Sequence, residues 1–305
     1  MRLRSLLVVL LALAACDGNS KPAADRATGN IWEEFSGENA LRHVQQLVDY
    51  GPRPPGSEAI EQARNYITKE LESIGWTVTR QSFTDDTPRG KVTFVNLIAT
   101  FGRPGGGKAE PSFLLCSHYD TKVFDSIRFV GANDGGSSNG LLIEMARVLA
   151  TRPAMAAKVQ LVFFDGEEAY VNFTETDGLF GSRYFAKQLQ AEGKVKQFRG
   201  GILFDMVGDK SLTITLSPDS PPGLTKGIFA AAEALNLRNY FTYAAGPIVD
   251  DHTPLNAIGI PVIDLIDFDF PAWHTSNDTM DQISAESMRI VASVALRYLA
   301  DEGLK

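Results

Sequence analysis

The chain has 305 residues, 44% of them hydrophobic and 22% charged, with a formal net charge of −8 and two cysteines. That length holds one large α/β domain or two small ones with an ample apolar core, and no disulfide framework is needed. The acid excess and the lack of a basic patch argue against nucleic acid as a partner.

At the N-terminus, Arg2 and Arg4 precede the apolar run 6–15. It is too short to span a bilayer but right for a secretory signal. It ends Leu13-Ala14-Ala15-Cys16, which resembles a bacterial lipobox. The expected division is therefore a signal peptide over 1–15, a lipidated Cys16 with a flexible tether over 16–35, and one α/β domain over 36–305. Lipidation at Cys16 would make the membrane a partner, since more than one acyl chain gives stable anchoring. An ordinary signal cut nearby, with Cys16 incidental, is the alternative; either way the chain is exported.

From Ser36 the apolar residues Ala40, Leu41, Val44, Leu47 and Val48 recur at helical spacing until Gly51-Pro52. A second amphipathic helix follows Ser57, with Ile60, Ala63, Tyr66, Ile67 and Leu71 on one face. Residues 77–83 and 92–101 read as a hairpin joined by the turn-rich stretch 84–90, and 102–109 as a Gly-rich loop. Beyond it strands alternate with helices: strands at 112–117, 159–164, 201–207 and 261–266, helices at 139–151, 182–192, 225–234, near 254–258 and at 285–301. Such alternation predicts a three-layer α/β/α sandwich with a mixed, mostly parallel central sheet and an antiparallel hairpin at one edge. Cys116, inside an apolar run, is expected to be buried as a small hydrophobe.

The strand at 159–164 is followed by Asp165-Gly-Glu-Glu168. Two acids at the carboxyl end of a strand stand where open α/β sheets place ligands, and a metal would supply their counter-charge. A helix-capping acidic turn is the plain alternative. Asp134 sits in Gly131-Ala-Asn-Asp-Gly-Gly136 and Asp205 in the apolar strand Leu203-Phe-Asp-Met-Val207. His118 lies in Ser117-His-Tyr-Asp120, His252 in Asp250-Asp-His-Thr-Pro254 and His274 in Trp273-His-Thr-Ser-Asn-Asp278, whereas His43 is on the first helix and reads as packing or surface. Singly, Asp134 reads equally as a helix cap, Asp205 as the partner of a buried cation and His118 as a core histidine. Together, acids and histidines at five strand-end loops point to a zinc site of mixed nitrogen and oxygen ligands with an open position.

The order His-x-Asp, Asn-Asp, Glu-Glu, Asp, His-Thr resembles the zinc-dependent aminopeptidases with a single α/β domain. It more closely resembles the zinc glutaminyl-peptide cyclotransferases built on the same fold. The resemblance runs from about Gly51 to Met280 and rests on Tyr50-Gly-Pro-Arg-Pro-Pro-Gly-Ser57, His118-Tyr-Asp-Thr-Lys122, Phe129-Val-Gly-Ala-Asn-Asp134, Phe163-Phe-Asp-Gly-Glu-Glu-Ala169, Val249-Asp-Asp-His-Thr-Pro254 and Trp273-His-Thr275. It implies one zinc held by Asp134, Glu168 and His274, Glu167 as general acid/base, and Asp205 and Asp250 in an acidic network beside it. Trp273 would line the substrate pocket, with Phe173 where the animal cyclotransferases carry a tryptophan. The implied reaction closes an N-terminal glutamine to pyroglutamate and releases ammonia, so the implied partners are peptides or proteins with N-terminal glutamine.

Five positions depart from the cyclotransferase pattern: Phe173, Gly135 in place of serine, Ser117 and Asn139 in place of a cysteine pair, and Asp264 in place of a histidine. The competing expectation is a two-zinc aminopeptidase, with His118 and Asp205 completing a second metal site, Asp134 bridging and Asp120 orienting His118. A binding module on a dead fold is the non-enzymatic alternative; intact Glu167, Glu168, Asp134 and His274 stand against it.

Overall fold

The computed structural model describes residues 29–102 and 110–305. The expected signal, Cys16 and most of the tether, and the body of the Gly-rich loop lie outside the described residues.

The strands are β1 (Trp76–Thr87), β2 (Gly90–Phe101), β3 (Phe113–His118), β4 (Val159–Phe164), β5 (Gly200–Asp205), β6 (Ile214–Leu216), β7 (Phe241–Tyr243) and β8 (Val262–Ile266). They form one sheet in the order β1-β2-β4-β3-β5-β8-β6-β7. The centre, β4-β3-β5-β8, is parallel, and the β1-β2 hairpin joins it antiparallel through β4. The helices are α1 (Gly37–Asp49), α2 (Glu58–Ser73), α3 (Ser138–Ala150), α4 (Pro153–Ala156), α5 (Phe180–Ala191), α6 (Pro222–Ala234), α7 (His252–Ala257) and α8 (Ala285–Tyr298).

Both faces of the central strands are buried, and alternate residues serve different layers. Phe113, Leu115, Leu161, Phe163, Ile202 and Phe204 enter the large core under α1, α2, α3, α6 and α8. Their neighbours Leu114, Cys116, Val162, Phe164 and Leu203 pack on the opposite face against Phe185, Leu189 and Leu255 of α5 and α7. The three-layer sandwich expected from the alternation is therefore present, with Cys116 fully buried. Ser36 and Ser57 cap α1 and α2 by accepting the N–H of Asn39 and Ile60.

Several boundaries move. The hairpin strands run on to Thr87 and from Gly90, leaving Pro88 and Arg89 as the turn instead of the stretch 84–90. The strand expected at 201–207 ends at Asp205, because Met206 turns left-handed with φ +45°. α6 begins three residues earlier than expected, with a proline in its first turn. β6 and β7, three residues each, carry too few positions for a period and escape sequence reading.

Candidate metal centre and active-site cleft

Five strand-end segments converge above the carboxyl ends of the parallel strands. After β4, Gly166 turns the backbone left-handed (φ +72°), and a Cβ there would press on the ring of Phe94 at 2.5 Å. Glu167 and Glu168 follow, their amides donated to the two oxygens of Asp120 at 3.1 and 3.3 Å. Asp134 precedes α3 and is held by the carboxylate of Asp278, which accepts the N–H of Asn133 at 2.7 Å and of Asp134 at 3.0 Å. His274 sits in the loop after β8 with φ +56°, a conformation uncommon for a residue with a side chain and found mostly where function holds it.

The result is two triads sharing one carboxylate: Asp134, Glu168 and His274, and His118, Asp134 and Asp205, each with ligand-type atoms within 4.8 Å of one another. His274 Nε2 lies 3.1 Å from Glu168 Oε1 and 3.3 Å from Asp134 Oδ2. His118 Nε2 lies 3.3 Å from Asp134 Oδ1 and 3.2 Å from Asp205 Oδ1. The first triad lines a cleft together with Glu167, Asp205, Asp250, Phe173 and Trp273; His118 is buried behind Asp134 and does not reach it. Every expected site residue is thus brought to one place. Asp134 caps no helix, and Asp205 pairs with His118 instead of a buried arginine or lysine.

The electrostatics suit a cation. Burial pushes the Asp134 carboxyl up, yet His118 and His274 hold it below the usual carboxylate range. Burial would lower His274, but Asp134 and Glu168 outweigh it and keep the imidazole protonated up to about 9. Asp134 Oδ2 is buried and accepts no hydrogen bond. An orphaned oxygen, a second carboxylate and an imidazole around one point form a three-ligand set of the kind that leaves zinc an open position. The donor set fits a single Zn²⁺. Lys122 stands at the edge, its Nζ 3.4 Å from Glu168 Oε2 and donating to the Ala169 carbonyl.

Behind the triad the acids crowd. Burial and then Asp250 raise Glu167 well above the usual carboxyl value. Burial, Asp264 and Asp205 do the same to Asp250. Asp251 is raised to about 7, and Asp264, fully buried, accepts no hydrogen bond and faces His252 Nδ1 at 3.7 Å.

Two departures from the cyclotransferase pattern have structural answers. Gly135 has φ +74°, and a Cβ there would come within 2.9 Å of the Asp120 carbonyl and 3.0 Å of His118 Cε1, so glycine is what lets His118 approach. At Ser117 and Asn139, where the cyclotransferase pattern has a cysteine pair, hydrogen bonds hold the segment: Ser117 to Ser138 at 2.8 Å, and the Asn139 amide to the carbonyls of His118 and Gly135. Asp120 does less for His118 than expected. Its oxygen is 3.5 Å from Nδ1, which has no hydrogen-bond partner, and its main service is to the amides of Glu167 and Glu168.

Sequence reading missed Asp278, which sits four residues past His274 in a polar run, and Phe268, Ile248 and Met206 in the cleft wall. An aromatic flanked by two acids directly after a strand, Asp267-Phe268-Asp269, was the available signal for Phe268.

Fold and site together define a zinc-exopeptidase-like α/β protein. Residues 96–299 match peptidase family M28, and the chain belongs to that family. The glutaminyl-peptide cyclotransferase-like protein of Bos taurus is 31% identical over 278 residues, covering 82% of this chain and 72% of that protein. The crystal structure of Acidobacteriales bacterium glutaminyl cyclase superposes with a TM-score of 0.79 at 31% identity, covering 96% of this chain and 98% of that one. A Zn-dependent exopeptidase from Parabacteroides distasonis superposes equally well, TM-score 0.80, at 26% identity over 88% of this chain and 99% of that one.

Proposed function

We propose that the protein is a zinc-dependent glutaminyl-peptide cyclotransferase acting on N-terminal glutamine of peptides or proteins. The observation that carries the reading is the cleft: one complete Asp134–Glu168–His274 triad opens onto it, with Glu167 beside Asp250 at its floor and Trp273 in its wall. The 31% identity to a cyclotransferase-like protein supports the same choice.

A zinc ion held by Asp134, Glu168 and His274 would supply a Lewis acid for the carbonyl of the substrate's side-chain carboxamide. The chain's own residues do the rest. The substrate's α-amine forms a new C–N bond at the carboxamide carbonyl carbon (Cδ of the glutamine), closing a five-membered ring, and the bond from that carbon to the amide nitrogen breaks. Glu167, kept protonatable by burial and by Asp250, takes the proton from the amine and delivers it to departing ammonia. Burial and then Asp250 keep the Glu167 pKa high, and Asp205 in turn helps raise Asp250. Trp273, stacked on His274 with ring centroids 4.2 Å apart, excludes water and bounds the glutamine side chain, with Phe173 on the cleft's other lining.

The second triad favours a second reading, a two-zinc aminopeptidase with His118 and Asp205 as additional ligands. Ammonia release from a glutaminyl peptide without hydrolysis of a leucyl peptide supports the cyclase. Hydrolysis of the leucyl peptide with two zinc per chain overturns it.

We also infer export, with a signal over 1–15, a lipidated Cys16, a tether to residue 35 and a catalytic domain over 36–305. No helix of the described residues is long and apolar enough to cross a membrane. Cys16→Ser should release the protein from the membrane fraction; an unchanged distribution would remove the anchor.

A further inference from the structure

Six large apolar side chains are exposed among the described residues, and they are not scattered. Four of them, Phe173, Val249, Phe268 and Trp273, line the cleft over the triad. Val171 stands two residues from Phe173, and Tyr243 alone lies in a separate depression with Phe229. Isolated exposed apolar residues are ordinary, whereas a contiguous set at a cleft marks a binding surface. The acids Asp134, Glu167, Glu168, Asp205 and Asp250 belong to the floor, and Lys122 stands at the edge on the Glu168 and Phe173 side, its Nζ 5.8 Å from the Phe173 ring centroid.

The wall is layered. His274 stacks on Trp273, and Trp273 meets Phe268 at 5.4 Å between ring centroids, so an aromatic face runs outward from the metal triad to Phe268. Phe268 is 46% exposed and Val249 58%, with no aromatic cover on their outer sides beyond Trp273. Phe268 is placed there by its own backbone, whose N–H donates to Thr215 Oγ1, so its position does not depend on burial of the ring.

Resting on the cyclase reading, we propose that Phe268 and Val249 form a subsite for the residue following the N-terminal glutamine, selecting an apolar side chain. The glutamine must present its γ-carboxamide at the triad and its α-amine at Glu167, so the peptide leaves through the mouth of the cleft. Consecutive Cα atoms are about 3.8 Å apart, which sets the second side chain against the outer part of this wall. An acidic second residue would have to give up its hydration against the apolar wall of Phe268 and Val249 and is disfavoured.

The test compares kcat/KM for Gln-Phe-Ala-amide, Gln-Gly-Ala-amide and Gln-Asp-Ala-amide with the zinc-loaded protein. The phenylalanine peptide should exceed the glycine peptide roughly tenfold, as expected for partial burial of a large apolar side chain, and the aspartate peptide should fall below both. Phe268→Ala should bring the Phe/Gly ratio close to one, while Tyr243→Ala, away from the cleft, keeps it. Val249→Asp should raise Gln-Lys-Ala-amide relative to the phenylalanine peptide. Equal rates for phenylalanine and glycine peptides, or a ratio untouched by Phe268→Ala, would overturn the subsite. A turnover-free arm, calorimetric titration of the zinc-loaded Glu167→Gln variant with the first two peptides, separates the two ideas. No ammonia from any glutaminyl peptide with the affinity difference intact defeats the cyclase reading alone; ammonia release without discrimination defeats the subsite alone.

Discussion

Glu167 and Glu168 are adjacent in the chain, yet their carboxyls meet different neighbours. Glu168 faces His274, Asp134 and Lys122, two of them cationic in the metal-free protein, while Glu167 is buried toward Asp250. The first environment suits an anionic ligand and the second a carboxyl that exchanges a proton. Glu167→Gln keeps the shape and removes the proton transfer, so activity should fall by about 10²–10⁴-fold while zinc content by metal analysis stays at wild-type level. Loss of zinc with activity would mean that the two glutamates have exchanged roles. His274→Ala removes the sole nitrogen ligand of the cleft triad and should lose zinc and activity together; an active, zinc-replete variant would take His274 out of the site.

At the scale of elements, the site is assembled from loops whose positions are set by hydrogen bonds from outside the ligand set. Asp278 is the clearest case, since its carboxylate receives two amides of the segment that presents Asp134. Asp278→Ala leaves every ligand in place but frees that segment, and zinc affinity by competition with a chelator should fall about 10–100-fold; an unchanged affinity would show that packing of the segment suffices. The loop before α5 is organised the same way. Asp177 accepts the amides of Tyr170, Val171 and Asn172, and Gly178 leaves room for the Phe173 ring, which a Cβ would meet at 2.7 Å. Asp177→Ala should loosen Phe173 and raise KM more than it lowers kcat, since no reacting group is touched.

For the whole molecule, the many acids gathered in one core make stability depend on pH and metal. Carboxyls such as Asp251 (about 7) and Asp267 (about 8) are held above their unfolded value of about 4. His274, at about 9, is held above its unfolded value of about 6.5. In each case the folded state binds the extra proton, so the stabilisation is present at the lower pH and lost as pH rises through the folded value. The Tm of the metal-free protein should therefore fall between pH 6 and pH 9, measured by scanning calorimetry; a Tm rising across that window would contradict the placement of these groups. Zinc must displace the His274 proton to bind. Added zinc should then raise Tm more at pH 8 than at pH 6, by mass action on the folded state.

Much of this was legible without coordinates. The α1 and α2 caps, the hairpin and the alternation of apolar runs with amphipathic helices specify a doubly covered parallel sheet, because period and length are local properties of the chain. Acids and histidines placed directly after apolar strands announce a ligand site, because such groups are costly beside a core unless a cation joins them. What the sequence could not express was distance. That Asp134 faces two triads, that His118 is walled off from the cleft, and that Asp278 braces a loop 144 positions earlier depend on which strand ends the sheet order brings together. The short β6 and β7 and the aromatic wall ending at Phe268 were likewise set by tertiary contact: three residues carry no period, and an exposed aromatic gains meaning only from what stands beside it.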